Sequence, residues 1–250
     1  MDIGLSRTGF STVDHVKLSN AVTSSTNGDG DGIEIGCCST LANVIADHNQ
    51  HKGIDAEGCC FTIVNTTATK NGDAGILASG CCSTVSNSNT TGNGGDGIDA
   101  SGCCNTVSNS NATGNGGDGI DASGCCSGVS NSVANNNKGN GIGVTKTANQ
   151  VVNCVARGNG NDGLYASSSN GSNKYNQVTN GKFAKNGNDG VELDPDGTIT
   201  ATFAMSNAND GVSIICPGNA VLVRALHNSG VNLAEDISGG ACTNLNNVAP

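Results

Sequence analysis

The chain has 250 residues, of which 38 are glycine, 13 are cysteine and none is tryptophan, and aromatic residues make up only 2%. This composition excludes a globular core built from large side chains, because too few of them are present to fill it. The 21 acidic residues outnumber the 11 basic ones and give a net charge of −10, which argues against nucleic acid and anionic membrane surfaces as partners.

A segment of 22 residues recurs from residue 75 onward. GILASGCCSTVSNSNTTGNGGD begins at Gly75, GIDASGCCNTVSNSNATGNGGD at Gly97 and GIDASGCCSGVSNSVANNNKGN at Gly119. Weaker copies extend to both sides, and an asparagine precedes the repeat glycine by four positions in consecutive units from Asn49 to Asn207. Self-similarity at such a period indicates a solenoid, in which each unit buries its apolar face against its neighbours.

Within one unit, apolar and polar residues alternate as they do in β-strands. Ile98 falls on one face and Asp99 on the other, while Val107 and Ala112 mark the centres of two further short strands. Three strands per turn, stacked at about 4.8 Å, predict a parallel β-helix. The prediction is an all-β, single-domain solenoid of about ten coils over residues 1–250, with an irregular first coil at 1–31 and a loose end at 239–250.

The alternation, repeated at the 22-residue spacing, predicts three rows of inward-pointing side chains. The first contains Ile33, Ile54, Ile76, Ile98, Ile120, Ile142, Leu164, Val191, Val212 and Val231. The second contains Leu41, Ile63, Val85, Val107, Val129, Val151, Val178, Ile199 and Val221. The third contains Ala68, Ala112, Ala134, Ala156, Phe183 and Ala204.

The pattern of asparagine, glycine and apolar residues resembles the right-handed parallel β-helix repeat of pectate-lyase-like proteins, over nearly the whole chain. The resemblance implies right-handed coils, with the amides from Asn49 to Asn207 stacked inside them. It leaves the activity open, because proteins of this architecture include polysaccharide lyases, hydrolases, uronate epimerases, tail spikes and adhesins. The segment from Leu193 to Asp196 also resembles the Asp-Pro element of uronate epimerases, although the histidine and aromatic residue of that motif are absent.

Ten of the 13 cysteines form five adjacent pairs that recur every 22 residues, which predicts a stack at one corner of the coils. One member of each pair is expected to point inward and the other outward. Three alternatives stay open: reduced thiols packed as small apolar groups, disulfides between coils, and a metal site. The disulfide candidates are Cys37, Cys59, Cys81, Cys103 and Cys125, while Cys154, Cys216 and Cys242 stand alone.

The outward position next to the first inner row carries acidic residues in several units. Glu34, Asp55, Asp99 and Asp121 are the candidate metal ligands, with Asp99 and Asp121 the best pair. Like carboxylates on neighbouring strands repel each other, and a Ca²⁺ ion would relieve that repulsion. No cofactor is required, and the alternative is a hydrated acidic face.

The unit that begins at Gly163 has 27 residues, five more than the 22-residue repeat. Insertions in solenoids lie on one face, which is often the binding face. The candidate binding residues around this insertion are Tyr165, Arg157, Lys174, Tyr175 and Lys182. The alternative is a tolerated surface loop, because long loops cost little stability.

No convergent set of catalytic groups stands out, because the four histidines lie in different units. The favoured function is a secreted or surface protein that binds a polysaccharide or cell-surface glycan without catalysis, as a monomer or with end-to-end association. Neither nucleic acid binding nor membrane insertion is expected. The alternative is a polysaccharide lyase, epimerase or glycoside hydrolase.

Ice binding is a third hypothesis, based on outward pairs at Thr84/Ser86, Thr106/Ser108 and Thr198/Thr200. The predicted location is extracellular. No apolar stretch follows Met1, so a signal peptide is not expected within this chain.

Overall fold

The computed structural model describes residues 10–24, 28–166, 175–236 and 241–249. These residues form three parallel sheets of 11, 10 and 10 strands, and neighbouring strands in a sheet come from successive units of the sequence. The chain therefore passes once through each sheet per coil, as the repeat predicts. No part of the described chain forms a helix with the length and apolar character needed to cross a membrane.

The strands are two to four residues long. Sheet 1 contains Thr12–Asp14, Thr40–Ala42, Thr62–Val64, Thr84–Ser86, Thr106–Ser108, Gly128–Ser130, Gln150–Val152, Gln177–Thr179, Thr198–Thr200, Asn219–Val221 and Thr243–Leu245. Sheet 2 contains Lys17–Ser19, Ile45–Asp47, Thr67–Thr69, Asn89–Thr91, Asn111–Thr113, Val133–Asn135, Val155–Arg157, Lys182–Ala184, Phe203–Met205 and Arg224–Leu226. Sheet 3 contains Ile33–Ile35, Ile54–Ala56, Ile76–Ala78, Ile98–Asp99, Ile120–Asp121, Ile142–Gly143, Leu164–Ala166, Val191–Leu193, Val212–Ile215 and Leu233–Asp236. Thr23–Ser24 and Gly28–Asp29 form a separate antiparallel pair.

The predicted aliphatic rows fill the interior, with two corrections near the C-terminal end. Val231 is 57% exposed, and Leu233 takes its place beside Val212. Ala220, and not Val221, pairs with Ile199. Both strands lie 21 residues after their partners. The predicted rows place Val221 at a step of 22 residues and Val231 at a step of 19, from Gly230, so each prediction misses the inward position.

Buried asparagines form a continuous hydrogen-bonded ladder along the coils. The Nδ2 amide of Asn93 donates to Oδ1 of Asn115 at 3.0 Å, and Asn115 donates in the same way to Asn137 at 3.0 Å. Equivalent bonds connect every coil from Asn49 to Asn228, which confirms the predicted row and extends it by one coil. The ladder satisfies buried amides that would otherwise destabilise the interior.

Both ends pair with a neighbouring coil. Thr12–Asp14 pairs with Thr40–Ala42, and Thr243–Leu245 pairs with Asn219–Val221. The first coil nevertheless steps by 28 residues and contains the separate antiparallel pair, and Thr243–Leu245 is exposed along its length. Backbone pairing on a neighbouring coil needs no apolar side chains, so it is compatible with the predicted irregular first coil and loose end.

Candidate functional site

A groove of about 390 Å³ lies on the outer face of sheet 1 in the C-terminal coils. We call it the sheet 1 groove. Its floor is formed by outward residues of four successive strands, Gln177, Thr198, Asn219 and Thr243, which are in register with one another. The turns that lead into these strands contribute Tyr175, Asp196, Pro217, Gly218 and Ala241. Amides and hydroxyls therefore recur along the groove at the strand spacing of about 4.8 Å.

Tyr175 and Asp196 stand at the rim, where the chain turns into sheet 1. Both have left-handed backbones, with φ of 62° and 60°. Tyr175 is 58% exposed, so its ring is accessible to a ligand. An aromatic face beside a few polar groups is a typical arrangement for recognising a ligand with both apolar and hydroxyl surfaces.

The disulfide Cys216–Cys242 joins the two chain segments that border the C-terminal part of the groove. Cys216 precedes Pro217, and Cys242 lies between Ala241 and Thr243. In the chain-entropy model, a crosslink across 26 residues contributes about 3.5 kcal/mol to folding stability. The sequence does not predict this bond, because both cysteines lie outside the 22-residue pattern.

The structure separates the residues predicted to gather around the insertion. Tyr175 lines the groove, whereas Tyr165 lies on sheet 3, and Arg157 and Lys182 lie on sheet 2. Lys174 lies outside the described residues. The prediction of one shared site is corrected for a geometric reason: neighbours along a coil pass onto different sheets, and only residues about one coil apart align on one sheet.

The predicted acidic row is in register along sheet 3. Glu34 pairs with Asp55, and Asp99 pairs with Asp121, with one apolar position between the two pairs. The ammonium group of Lys52 lies 2.5 Å from Oδ2 of Asp55 and offsets its charge. The pair Glu34 and Asp55 therefore already contacts a cation of the protein, Lys52, and differs in this respect from the pair Asp99 and Asp121.

Asp121 lies in the most crowded part of this row. Its burial, together with the charges of Asp99 and Asp118, raises its pKa to about 7, although hydrogen bonds from Ser123 oppose the shift. Within the described residues, none of the four candidates belongs to a set of three ligand atoms that lie within 4.8 Å of one another. Those sets are Cys38, Cys59 and Cys60; Cys216, Glu235 and Cys242; and Asp162, Asp189 and Glu192. Calcium binding at Asp99 and Asp121 stays a prediction.

A second acidic row, one position before the repeat glycine, was not predicted. Oδ1 of Asp96 accepts the backbone N–H of Asp118 at 2.6 Å, Asp118 accepts that of Asn140 at 2.6 Å, and Asp162 accepts that of Asp189 at 2.8 Å. Burial raises the pKa of Asp96 to about 6 and raises the pKa of Asp118 and Asp162. Each carboxylate holds the corner of the next coil, which indicates a structural role.

The cysteine pairs stack at one corner, but none of the ten side chains is buried. The second cysteine of each pair has φ between 58° and 62°, and Ser83, Asn105 and Ser127 fill the interior at this corner. The prediction of one inward cysteine per pair is therefore wrong, because the left-handed turn keeps both side chains outside. The Sγ atoms of Cys103 and Cys125 lie 3.0 Å apart. The predicted disulfide candidates are all free thiols in the structure: Cys37, Cys59, Cys81, Cys103 and Cys125.

The outward threonines of sheet 1 form a row of five in register, which ends at the middle of the sheet: Thr12, Thr40, Thr62, Thr84 and Thr106. Thr84 pairs with Thr106, but Gly128 and Gln150 occupy the next two positions. Along the described strands of sheet 1, the threonine face is interrupted, as the sequence indicates. This interruption disfavours the ice-binding hypothesis.

Comparison with known proteins addresses the family and the fold. The sequence matches the family described as "Right handed beta helix region" over residues 5–149 and 74–225. No curated protein matches the sequence. Solved structures that share the fold include the following three. The A-module of the Azotobacter vinelandii mannuronan C-5 epimerase AlgE6 has a TM-score of 0.62 and 17% identity, covering 96% of this chain and 76% of that one.

The second is a double mutant of the periplasmic alginate epimerase AlgG, with a TM-score of 0.65 and 13% identity, covering 95% of this chain and 68% of that one. The third is the pectate lyase Pel9A, with a TM-score of 0.51 and 18% identity, covering 98% of this chain and 67% of that one. At these identities, the similarity establishes the architecture that the coils share.

Proposed function

The chain belongs to the right-handed β-helix family, and from this premise we propose that it binds a linear polysaccharide in the sheet 1 groove. The observation that carries the proposal is the row of four polar side chains in register beside the exposed ring of Tyr175. A linear polysaccharide presents hydroxyl groups at a regular interval. Successive sugars can therefore meet successive coils, while one sugar face packs on the aromatic ring.

The similar structures support a polysaccharide as the ligand, because by name they are two epimerases of mannuronan and alginate and one pectate lyase. The charge of the groove indicates which class of polysaccharide is favoured. Its described lining includes the carboxylate of Asp196 and no lysine or arginine, so Coulomb repulsion favours a neutral polymer over a uronate. Both classes of polymer belong in the test.

Catalysis on the bound polymer is the second candidate, and the names of the similar structures favour it over binding alone. Asp196 and Tyr175 border the same groove, and a carboxylate and a phenol are both able to serve as general acid or base. Asp196 also ends the segment that resembles the Asp-Pro element of uronate epimerases. This candidate requires the Asp196 carboxylate, whereas binding alone does not.

The proposal includes a location outside the cytoplasm. One similar structure is a periplasmic protein by name. The disulfide Cys216–Cys242 is also typical of oxidising compartments.

The test measures binding and product formation in parallel. Alginate, polygalacturonate and neutral glucans are each titrated into the protein by calorimetry, and the mixtures are assayed for unsaturated ends, new reducing ends and C-5 inversion. Tyr175→Asn removes the ring, and asparagine tolerates the left-handed backbone at this position. We expect a loss of at least about 1.4 kcal/mol, or tenfold in Kd, as for an aromatic anchor.

Asp196→Asn and Thr106→Ala complete the design. Asp196→Asn is expected to abolish any product while polymer binding persists, and Thr106→Ala, on the same sheet but outside the groove, serves as the control. Binding that no groove variant weakens would refute the site. Product formation that survives Asp196→Asn would refute catalysis by this carboxylate.

A further inference from the structure

A second surface, which the proposed function does not use, lies at the corner where the cysteine pairs stack. We call it the cysteine corner. It consists of Cys37, Cys38, Cys59, Cys60, Cys81, Cys82, Cys103, Cys104, Cys125 and Cys126, all of them free thiols with intermediate or full exposure. Ten accessible thiols in five successive coils form a concentrated array of soft ligands.

We propose that the cysteine corner binds soft, thiophilic metal cations between adjacent coils. The Sγ atoms of Cys38, Cys59 and Cys60 lie within 4.8 Å of one another, and they come from two successive coils. A tetrahedral ion with metal–sulfur bonds of about 2.3 Å holds its sulfur ligands about 3.8 Å apart. Small side-chain rotations therefore suffice to bring these sulfurs around one ion, and Cys37 can complete a set of four.

The repeat multiplies this arrangement. Cys81, Cys82, Cys103 and Cys104 form a second set of two adjacent pairs, at the same corner and with the same spacing in sequence. Among the described residues, three sulfurs within 4.8 Å of one another occur in the first set and not in the second, so the second set needs larger side-chain rotations to surround an ion. The corner is therefore expected to bind at least one ion per chain, at Cys37, Cys38, Cys59 and Cys60.

Thiols of successive coils also contact each other elsewhere along the corner, where Sγ of Cys103 and Sγ of Cys125 lie 3.0 Å apart. A bound cation stabilises thiolates and releases their protons.

Ligand chemistry selects the class of ion. Thiolate sulfur prefers soft cations such as Cu(I) and accepts Zn²⁺, whereas Ca²⁺ and Mg²⁺ prefer oxygen. The strand spacing of about 4.8 Å also lies within the Cα–Cα range of a disulfide, about 4.4–6.8 Å, so a count of free thiols distinguishes coordination from crosslinking.

Cadmium is a suitable probe, because cadmium thiolates have an ultraviolet charge-transfer band. The full chain is isolated without exposure to air and titrated with Cd²⁺ in the presence of excess Ca²⁺. We expect the charge-transfer band to grow until at least one ion is bound per chain, as counted by equilibrium dialysis. The variant that replaces Cys37, Cys38, Cys59 and Cys60 by serine should bind one ion fewer.

Cys154→Ser is the matched control. Cys154 is a buried thiol outside the corner, and its Sγ lies 3.3 Å from the carbonyl oxygen of Val152. Ser132 makes the equivalent bond to Ser130 one coil earlier, so serine fits this position. The control should keep the full stoichiometry.

Three results would overturn the proposal. One is cadmium binding without the charge-transfer band, which would place the ions on the acidic rows. Another is equal stoichiometry in the wild type and the fourfold serine variant. The third is a count of fewer than 11 free thiols in the denatured, unreduced chain, because the structure has 11 unbonded cysteines and a lower number would mean disulfides at the corner. None of these results bears on polysaccharide binding, which uses a different surface.

Discussion

Replacement of Asn115 by alanine tests how the coils are held together. Asn115 is 1% exposed. Its Oδ1 accepts the backbone N–H of Asn93 at 3.1 Å and the side-chain amide of Asn93 at 3.0 Å. Its own amide donates to Oδ1 of Asn137 at 3.0 Å and to the carbonyl oxygen of Thr90 at 3.4 Å. Alanine removes all four of these bonds from the middle of the ladder.

The expected loss of stability follows from the polar groups that lose their hydrogen-bond partners. Two donors of Asn93 are left in the interior without this acceptor, whereas Oδ1 of Asn137 keeps the backbone N–H of residue 115. A buried group without a partner costs about 1–3 kcal/mol, so the two donors predict a loss of about 2–6 kcal/mol in the free energy of unfolding. Whole domains are stable by only about 5–15 kcal/mol, and the loss would be readily measured.

Urea unfolding followed by circular dichroism measures this loss as a lower midpoint. The control is Thr106→Ala, an exposed position on sheet 1 of the same unit, which is expected to change stability by less than about 0.5 kcal/mol. Equal midpoints for the two variants would refute the view that the asparagine ladder holds the coils together.

Four further predictions address the core, the acidic row and the groove. Val107→Asp places an unpaired carboxylate in the second inner row, where Val107 is 1% exposed. The buried charge should destabilise the fold by several kcal/mol and remove hydrogen-exchange protection from the middle coils. Unchanged protection would contradict the assignment of this row. The raised pKa of Asp121, about 7 in the fold against about 3.9 in the unfolded chain, means that the folded state binds this proton more tightly. Its contribution to stability is therefore present below about pH 4 and lost as the pH rises through about 7, so the melting temperature should fall over this range, and less steeply in Asp121→Asn. Calcium should raise the melting temperature of the wild type, and Asp99→Asn combined with Asp121→Asn should abolish the increase; an increase that persists in the double variant would place the ion elsewhere. Reduction of Cys216–Cys242 should weaken polysaccharide binding in calorimetry by loosening the groove wall, while an unchanged Kd would show that the wall needs no crosslink.

The repeat by itself determined the fold and most of the interior. In a β-helix, residues separated by one coil occupy the same angular position, so contacts between strands become a matter of sequence spacing. The spacing of 22 residues therefore predicted the pairing of Ile76 with Ile98 and the ladder from Asn115 to Asn137. It also predicted that Asp99 and Asp121 are neighbours, because outward residues keep the same register as inward ones.

Only the tertiary structure determined the features that do not follow the 22-residue repeat. The left-handed turn at the second cysteine of each pair turned both thiols outward, and a periodic pattern contains no information about that backbone angle. The distribution of the coil over three sheets separated Tyr165 from Tyr175, although they are only ten positions apart in sequence. The bond between Cys216 and Cys242 depends on how the last coils, which depart from the 22-residue step, close against each other. The polar side chains of the sheet 1 groove are ordinary outward residues of four strands, so the sequence alone does not distinguish them from other outward residues. They form a candidate site because the fold places them beside Tyr175 and Asp196.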